Sequence, residues 1–140
     1  EKFGHTLARI HHPIPGFTEQ LTPSVSRFFK RISPGRPFVR FNWGIQPGDA
    51  LNWQTATEPA ITADTGLYYR SERQCLLRLP ASQAVIFFIR INLCELARVN
   101  SQYEDPSALA GLLAHMDTLP AAERVYKGID RLQLALQKYR

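Results

Sequence analysis

The stretch of sequence that decides the fold is residues 67–93, LYYRSERQCLLRLPASQAVIFFIRINL. Polar and apolar side chains mix along Leu67–Leu79, which predicts a long strand whose two faces differ in character. Ala84–Leu93 is apolar on both faces, which is typical of a strand at the centre of a sheet. Only Pro80–Gln83 separates the two strands, so the sequence predicts an antiparallel hairpin.

The elements on either side of this hairpin predict an α+β fold. Helices are predicted for Thr22–Ile32, from Asp105 to about His115, and from Pro120 to Tyr139, weakened near Gly128. The order of helix, three strands and two helices predicts a mixed antiparallel layer structure, with room for a ligand between sheet and helices. The first strand, Pro37–Ile45, alternates cleanly, and its apolar face is formed by Val39, Phe41, Trp43 and Ile45.

The segment before the first helix is stiffened by two prolines in His11-His12-Pro13-Ile14-Pro15-Gly16. Proline keeps the residue before it extended, which excludes regular structure here, whereas Phe3–Ile10 is compatible with a strand. Neighbouring side chains of an extended chain point in opposite directions, so only one of His11 and His12 can face an interior pocket. A stiff backbone suits an imidazole that ligates a metal or a haem, and a hydrogen-bonded histidine is the alternative.

Composition limits the class of protein. With 140 residues, of which 44% are hydrophobic and 11% aromatic, the chain predicts one domain with a single core and excludes disorder as its main state. The longest apolar run, Ala84–Ile89, is far shorter than the roughly 18 residues of a membrane span. The chain opens on Glu1-Lys2 without an apolar leader, and two cysteines are too few for a disulfide framework, so we expect a cytoplasmic protein.

The net charge of +5 lies entirely in the first 40 residues. Seven basic and two acidic side chains fall there, whereas residues 41–140 carry ten of each. Arginine is the commoner base, and its planar guanidinium suits contacts with anions. An anionic ligand or partner is one interpretation and a solvated basic face is the other. Nucleic acid is not expected, because no recognition motif accompanies the charge.

A polar cluster interrupts the apolar pattern of the predicted hairpin. Arg70, Glu72 and Gln74 share one face of the strand, and Arg73 lies on the other. The cluster is either a solvent-facing surface with an internal Arg–Glu pair or the polar floor of a pocket. In a pocket, the carboxylate of Glu72 would hold a cationic substrate or relay protons, and an arginine would hold an anion.

Several common catalytic signatures are absent from the chain. It has no Walker loop, GxGxxG, HExxH or GxSxG motif. These absences argue against nucleotide hydrolysis, dinucleotide binding, zinc proteolysis and serine hydrolysis.

Four short motifs cover nearly the whole chain in an order that a known family shares. The matching residues are Lys2-Phe3-Gly4 with Ile10–Gly16 for K-x-G…I-H-x-P-V-P, Arg40–Trp43 for R-x-N-W, Arg70–Gln74 with Arg78-Leu79-Pro80 for R-x-E-R-Q…R-L-P, and Tyr126–Gly128 for Y-K-G. Together they resemble the family of the haem-dependent oxidative N-demethylase alpha subunit, once a domain of unknown function.

The resemblance implies a PAS-like antiparallel sheet with helices covering a haem b pocket. It also implies that a small secondary amine, such as dimethylamine, is demethylated with dioxygen and that formaldehyde is released. Electrons would come through reductase subunits that carry FMN and an iron–sulfur cluster. Because the family's domain is longer on its N-terminal side, residues 1–140 are expected to be its C-terminal part.

Site residues carry over position by position. His11 matches the motif histidine and is predicted to be the axial haem ligand. Glu72 matches the motif acid and is predicted to contact the substrate ammonium or to pass protons to oxygen. Arg70 and Arg73 match motif arginines that would order the pocket and pair with Glu72 or the haem propionates, and Arg40 would hold a propionate.

The same resemblance allows a second interpretation, in which the protein binds a ligand without catalysing a reaction. A PAS-like module would bind haem or another small ligand and report to a partner. In either reading, the basic excess of the first 40 residues fits propionate contacts or the docking of an acidic electron donor.

Overall fold

A computed structural model describes residues 22–51 and 60–140. The strands form one three-stranded antiparallel sheet in the order β1–β2–β3, which together with the helices confirms the α+β class. The PAS-like character stays a prediction, and the segment Phe3–Ile10 lies outside the described residues. The elements are α1 (Thr22–Arg31), β1 (Phe38–Pro47), β2 (Leu67–Arg78), β3 (Val85–Glu95), α2 (Val99–Gln102), α3 (Ala108–Thr118), α4 (Ala121–Tyr126) and α5 (Gln133–Leu136), with 3-10 turns at Leu96–Arg98, Asp130–Leu132 and Gln137–Tyr139.

The predicted hairpin between β2 and β3 is confirmed. The amide of Leu79 donates to the carbonyl of Ala84 at 2.9 Å, and the amide of Gln83 donates to the carbonyl of Leu79 at 3.1 Å. Gln83 closes the turn with a φ of 58°, in the left-handed region. A link this short leaves antiparallel pairing as the only way for the two strands to meet.

The prediction that the apolar strand lies at the centre of the sheet is wrong. In the sheet that the described residues form, β2 is central and β3 lies at an edge, with Phe87, Phe88 and Ile89 exposed. The reason is that β1 pairs with β2, and their polar side chains hydrogen bond across the two strands. A strand with two apolar faces is therefore not by itself evidence for a central position.

The chain folds as two compact units. Of the described residues, 22–40 and 74–89 form the first unit, and 41–51, 60–73 and 90–140 form the second. In the first unit, Arg78 donates to the carbonyls of Ile32, at 2.7 Å, and of Phe29. A cation at the carbonyl end of a helix satisfies acceptors that the helix itself leaves unpaired, so Arg78 fastens the end of α1 to β2.

The second unit is built around one apolar core. Trp43, Tyr69 and Leu112 are among the half-buried side chains that pack against it. The predicted apolar face of β1 is buried only towards its end, because Ile45 is buried whereas Phe41 is 75% exposed. The buried core residues are Ile45, Leu67, Cys94, Leu96, Val99, Leu113, Met116, Ile129, Leu132, Ala135 and Leu136.

The helical last third is confirmed with two differences. α3 begins at Ala108, because Asp105 uses its carboxylate in a turn, accepting from the amide and hydroxyl of Ser107. The second predicted helix is broken after α4 by Gly128, whose φ is 69°. In the described ranges, no helix has the length and apolarity to cross a membrane.

Candidate functional site

An ion pair occupies the middle of β2 in the second unit. The Nε of Arg70 lies 2.9 Å from Oε1 of Glu72, and the two side chains are only 12% and 15% exposed. Asn42 on β1 approaches the other carboxylate oxygen, Oε2, at 3.4 Å. The pair predicted from the sequence therefore exists, but it is largely withdrawn from solvent. We name Asn42, Gln46, Arg70 and Glu72 the strand-face network.

Arg70 is fixed by more than its carboxylate partner. Its Nη1 donates to Oε1 of Gln46 at 3.2 Å and to the carbonyl of Leu51 at 3.1 Å. Gln46 is buried, and its amide nitrogen donates to the carbonyls of Gly48 and Ala50. The guanidinium is thereby held from three directions, which fixes the position of Glu72 as well.

Sequence reasoning missed Gln46. A usable signal existed, because Gln46 continues the alternation of polar residues that begins with Arg40 and Asn42 on the same face of β1. A glutamine at a buried strand position needs partners for both amide atoms, which makes it a candidate for fixing a neighbouring charge.

Arg40 stands in a different environment in the first unit. Its Nε donates to Oε1 of Gln74 at 2.6 Å, and Gln74 is only 4% exposed. This partner is a neutral amide, and in the described part of the chain no carboxylate forms an ion pair with Arg40. Arg40, which is exposed, therefore keeps its charge available for an anion, in contrast to Arg70.

Of the remaining predicted site residues that the structure describes, Arg73 does not join the strand-face network. Arg73 is exposed, and over residues 22–51 and 60–140 no hydrogen bond or ion pair connects it with Glu72. Adjacent positions of a strand face opposite ways, which accounts for this separation. His11 and His12 lie outside the described residues.

Lys127 joins the end of the second unit to β1. Its Nζ donates to the carbonyl of Trp43 at 2.8 Å and lies 4.5 Å from the centre of the indole ring. Burial lowers the pKa of Lys127, and the nearby carboxylates of Glu123 and Glu72 oppose that shift. His115 packs its ring against the same indole at 5.6 Å. Lys127 and His115 thus fix Trp43, the residue that follows Asn42.

The family model for "Haem-dependent oxidative N-demethylase, alpha subunit-like" matches residues 1–137. The chain belongs to this family. A comparison with curated proteins finds no match. The family name describes an oxidative enzyme subunit that depends on haem, and the resemblance seen in the sequence is confirmed.

Three of the motifs shared with this family hold residues with a structural part. Arg78 of R-L-P secures α1, and Lys127 of Y-K-G holds Trp43 of R-x-N-W. Gly128 of Y-K-G adopts a left-handed conformation that other residues rarely adopt. By contrast, Arg70, Glu72 and Arg40 carry charge on the polar strand faces.

A bound haem takes an axial ligand on its iron. Cationic side chains pair with the carboxylates of its two propionate groups. Arg40 fits the second requirement, because its charge has no carboxylate partner among the described residues. Within those residues no three His, Cys, Asp or Glu side chains form a metal site. Core side chains lie between the strands and the helices of the second unit. The haem pocket that the resemblance implies therefore stays a prediction.

The two cysteines do not form a disulfide with each other. Cys75 and Cys94 are both free thiols, as the sequence predicts. Burial raises the pKa of the Cys94 thiol, which keeps it protonated and unreactive at neutral pH.

Proposed function

We propose that this chain carries the haem-binding, amine-oxidising site of a haem-dependent oxidative N-demethylase. The substrate is a small secondary amine of the dimethylamine type, and the cofactor is haem b. One oxygen atom of dioxygen ends in formaldehyde and the other in water. The two electrons that this balance requires come from partner subunits that carry FMN and an iron–sulfur cluster.

The observation that carries the proposal is the fixed carboxylate of Glu72. Arg70 holds Oε1 at 2.9 Å, so the carboxylate has one orientation rather than many. A protonated secondary amine would donate its N–H to Oε2, in place of the long contact with Asn42. Because the pair is only 12–15% exposed, this charge–charge attraction is stronger than at an open surface.

The arginines have separate parts in the proposal. Arg70 keeps Glu72 in place and partly balances its charge. The buried carboxylate therefore has a cationic partner when no amine is bound, and it can still accept the amine as a second cation. Arg40 holds a haem propionate, since its charge has no carboxylate partner in the described residues. Arg73, which is exposed, helps to order the surroundings.

When bound, the haem supplies the reduction of dioxygen, and His11 ligates its iron. The residues of the chain do the rest. Glu72 orients the amine, takes up one proton from its N–H group and passes that proton to the oxygen atom that becomes water, whose second proton comes from solvent. Asn42 lies beside the same carboxylate and adjusts its hydrogen bonding as the proton moves.

Haem titration of the purified chain tests the proposed ligand. We expect a Soret band that grows to one equivalent of haem, is lost in His11→Ala and persists in His12→Ala. The second variant is a matched control, because it removes the neighbouring imidazole from the same proline-stiffened segment. Equal haem binding by the two variants would overturn the assignment of His11.

Formaldehyde release tests turnover. With dimethylamine, dioxygen, NADPH and a reductase that supplies electrons, we expect formaldehyde from the haem-loaded chain. Glu72→Gln should lower turnover by about 10²-fold or more while leaving the Soret band unchanged, because the amide cannot accept the proton. A Soret band without formaldehyde from the parent chain would favour the PAS-like binding module instead.

A further inference from the structure

Among the described residues, basic side chains gather in the first unit without acidic ones. The described residues of the second unit, 41–51, 60–73 and 90–140, are balanced, with nine basic and nine acidic side chains. The described residues of the first unit, 22–40 and 74–89, hold six basic side chains and no Asp or Glu, namely Arg27, Lys30, Arg31, Arg36, Arg40 and Arg78. The charge asymmetry seen in the sequence is thus concentrated in one compact part of the molecule.

Three of these arginines share a surface with two phenylalanines. One shallow depression is lined by residues that include Arg27, Phe28 and Arg31 of α1. A second one shares Phe28 and Arg31 and adds Arg36 and Phe38. Because the two depressions have residues in common, they form one continuous area. We name these five residues the basic–aromatic surface.

Among the described residues, no carboxylate pairs with the guanidinium groups of this surface. Arg27, Arg31 and Arg36 are exposed, and in the described part of the chain none forms an ion pair. Arg27 has one long hydrogen bond, 3.4 Å to the hydroxyl of Ser24. Like charges held together repel each other, so an arrangement of this kind is stabilised when a negatively charged partner is present.

We propose that the basic–aromatic surface docks an acidic protein partner. Guanidinium groups bind carboxylates through two parallel hydrogen bonds, which gives the three arginines a fixed preference for Asp and Glu side chains. Phe28 and Phe38 add an apolar centre that an apolar side chain of the partner covers. Arginine and aromatic residues are the types that protein–protein interfaces favour at their centres.

The arrangement of the rings favours a protein over a nucleic acid. Phe28 and Phe38 pack edge to face against each other, with ring centres 4.7 Å apart. Proteins that bind single strands instead present separate ring faces on which successive bases stack. A pair of mutually packed rings between arginines suits one apolar side chain flanked by carboxylates.

Fluorescence anisotropy with two labelled probes tests the proposal on the full chain. The first probe is a peptide in which Glu alternates with Leu and Phe, and the second is an oligothymidylate with the same net charge. We expect saturable binding of the peptide, weakened about tenfold or more in Arg27→Gln/Arg31→Gln/Arg36→Gln. A control variant, Arg90→Gln/Arg98→Gln, removes two exposed charges of the second unit and should change binding less than about twofold.

Two outcomes would overturn the proposal. One is tighter binding of the oligothymidylate than of the peptide, which would make the surface a nucleic-acid site. The other is a loss of binding in the control variant as large as that in the arginine variant, which would show that only the net charge of the chain matters. A third peptide with Ser replacing Leu and Phe tests the apolar centre, and we expect it to bind several-fold more weakly than the first. Circular dichroism of each variant establishes that it is folded.

Discussion

Arg70 is the side chain that secures the strand-face network. It bonds Glu72, Gln46 and the carbonyl of Leu51, three acceptors from different parts of the second unit. We expect Arg70→Gln to lower the free energy of unfolding by about 2–4 kcal/mol, because a partly buried carboxylate loses its cation. Urea denaturation at pH 7 measures the change.

A double-mutant cycle separates the ion pair from the other bonds of Arg70. Arg70→Gln/Glu72→Gln should be more stable than Arg70→Gln, since the uncompensated charge is gone. Arg73→Gln is the matched control: its side chain is exposed, and we expect a change within about 0.5 kcal/mol. Additive effects of the two substitutions would show that the contact between Arg70 and Glu72 contributes nothing of its own.

Among the elements, the break after α4 depends on one backbone conformation. Gly128 has a φ of 69°, and a Cβ there would lie 3.5 Å from Cδ of Arg131. Gly128→Ala should therefore destabilise the protein by about 1 kcal/mol, because alanine is strained in the left-handed region. Differential scanning calorimetry or urea denaturation detects a change of this size.

Gly111 supplies the opposite case for comparison. It lies inside α3, where a Cβ would meet no atom within 4 Å. Gly111→Ala should stabilise the protein by about 0.5–1 kcal/mol, because alanine has the higher helix propensity. The same substitution thus has opposite signs at the two glycines, and equal signs would contradict the conformations described for them.

Local signals in the sequence predicted most elements, and the placement of β3 was the exception. Turn residues connect β2 and β3 in the hairpin, and Gly128 marks the break in the C-terminal helical segment. Strand order depends on which strands pair, and apolar character on both faces of β3 does not reveal that. Phe87 and Phe88 are exposed at the sheet edge, so hydrophobicity alone gave the wrong position.

At the scale of the whole molecule, alternation predicted the shared face of Arg70 and Glu72 but not their distant partners. The contact of Asn42 with Glu72 depends on the register of two strands, which the spacing along one strand does not contain. Lys127 reaches Trp43 across 84 positions of sequence. Contacts of this kind follow from tertiary packing, so a single sequence shows the candidate residues without showing how they meet.

Arg140 forms an ion pair with Asp117 near the end of α3, and this pair makes the stability of the fold depend on pH. Arg140 donates to both carboxylate oxygens of Asp117, at 2.6 and 2.8 Å. These hydrogen bonds hold the pKa of Asp117 below its ordinary value of 3.8. A carboxyl whose pKa is lower in the folded state stabilises the fold above its unfolded pKa, and this contribution is lost as the pH falls through the folded pKa.

Asp117→Asn should accordingly melt at a lower temperature than the parent chain at pH 6, and the difference should shrink as the pH falls through the folded-state pKa of Asp117, which lies below 3.8. Because Arg140 and Asp117 are 38% and 50% exposed, 1 M NaCl should reduce the difference at pH 6. Thermal unfolding followed by circular dichroism between pH 6 and pH 2 measures both effects. A difference that stays constant over that range would mean that the aspartate contributes through shape or helix propensity, and not through its charge.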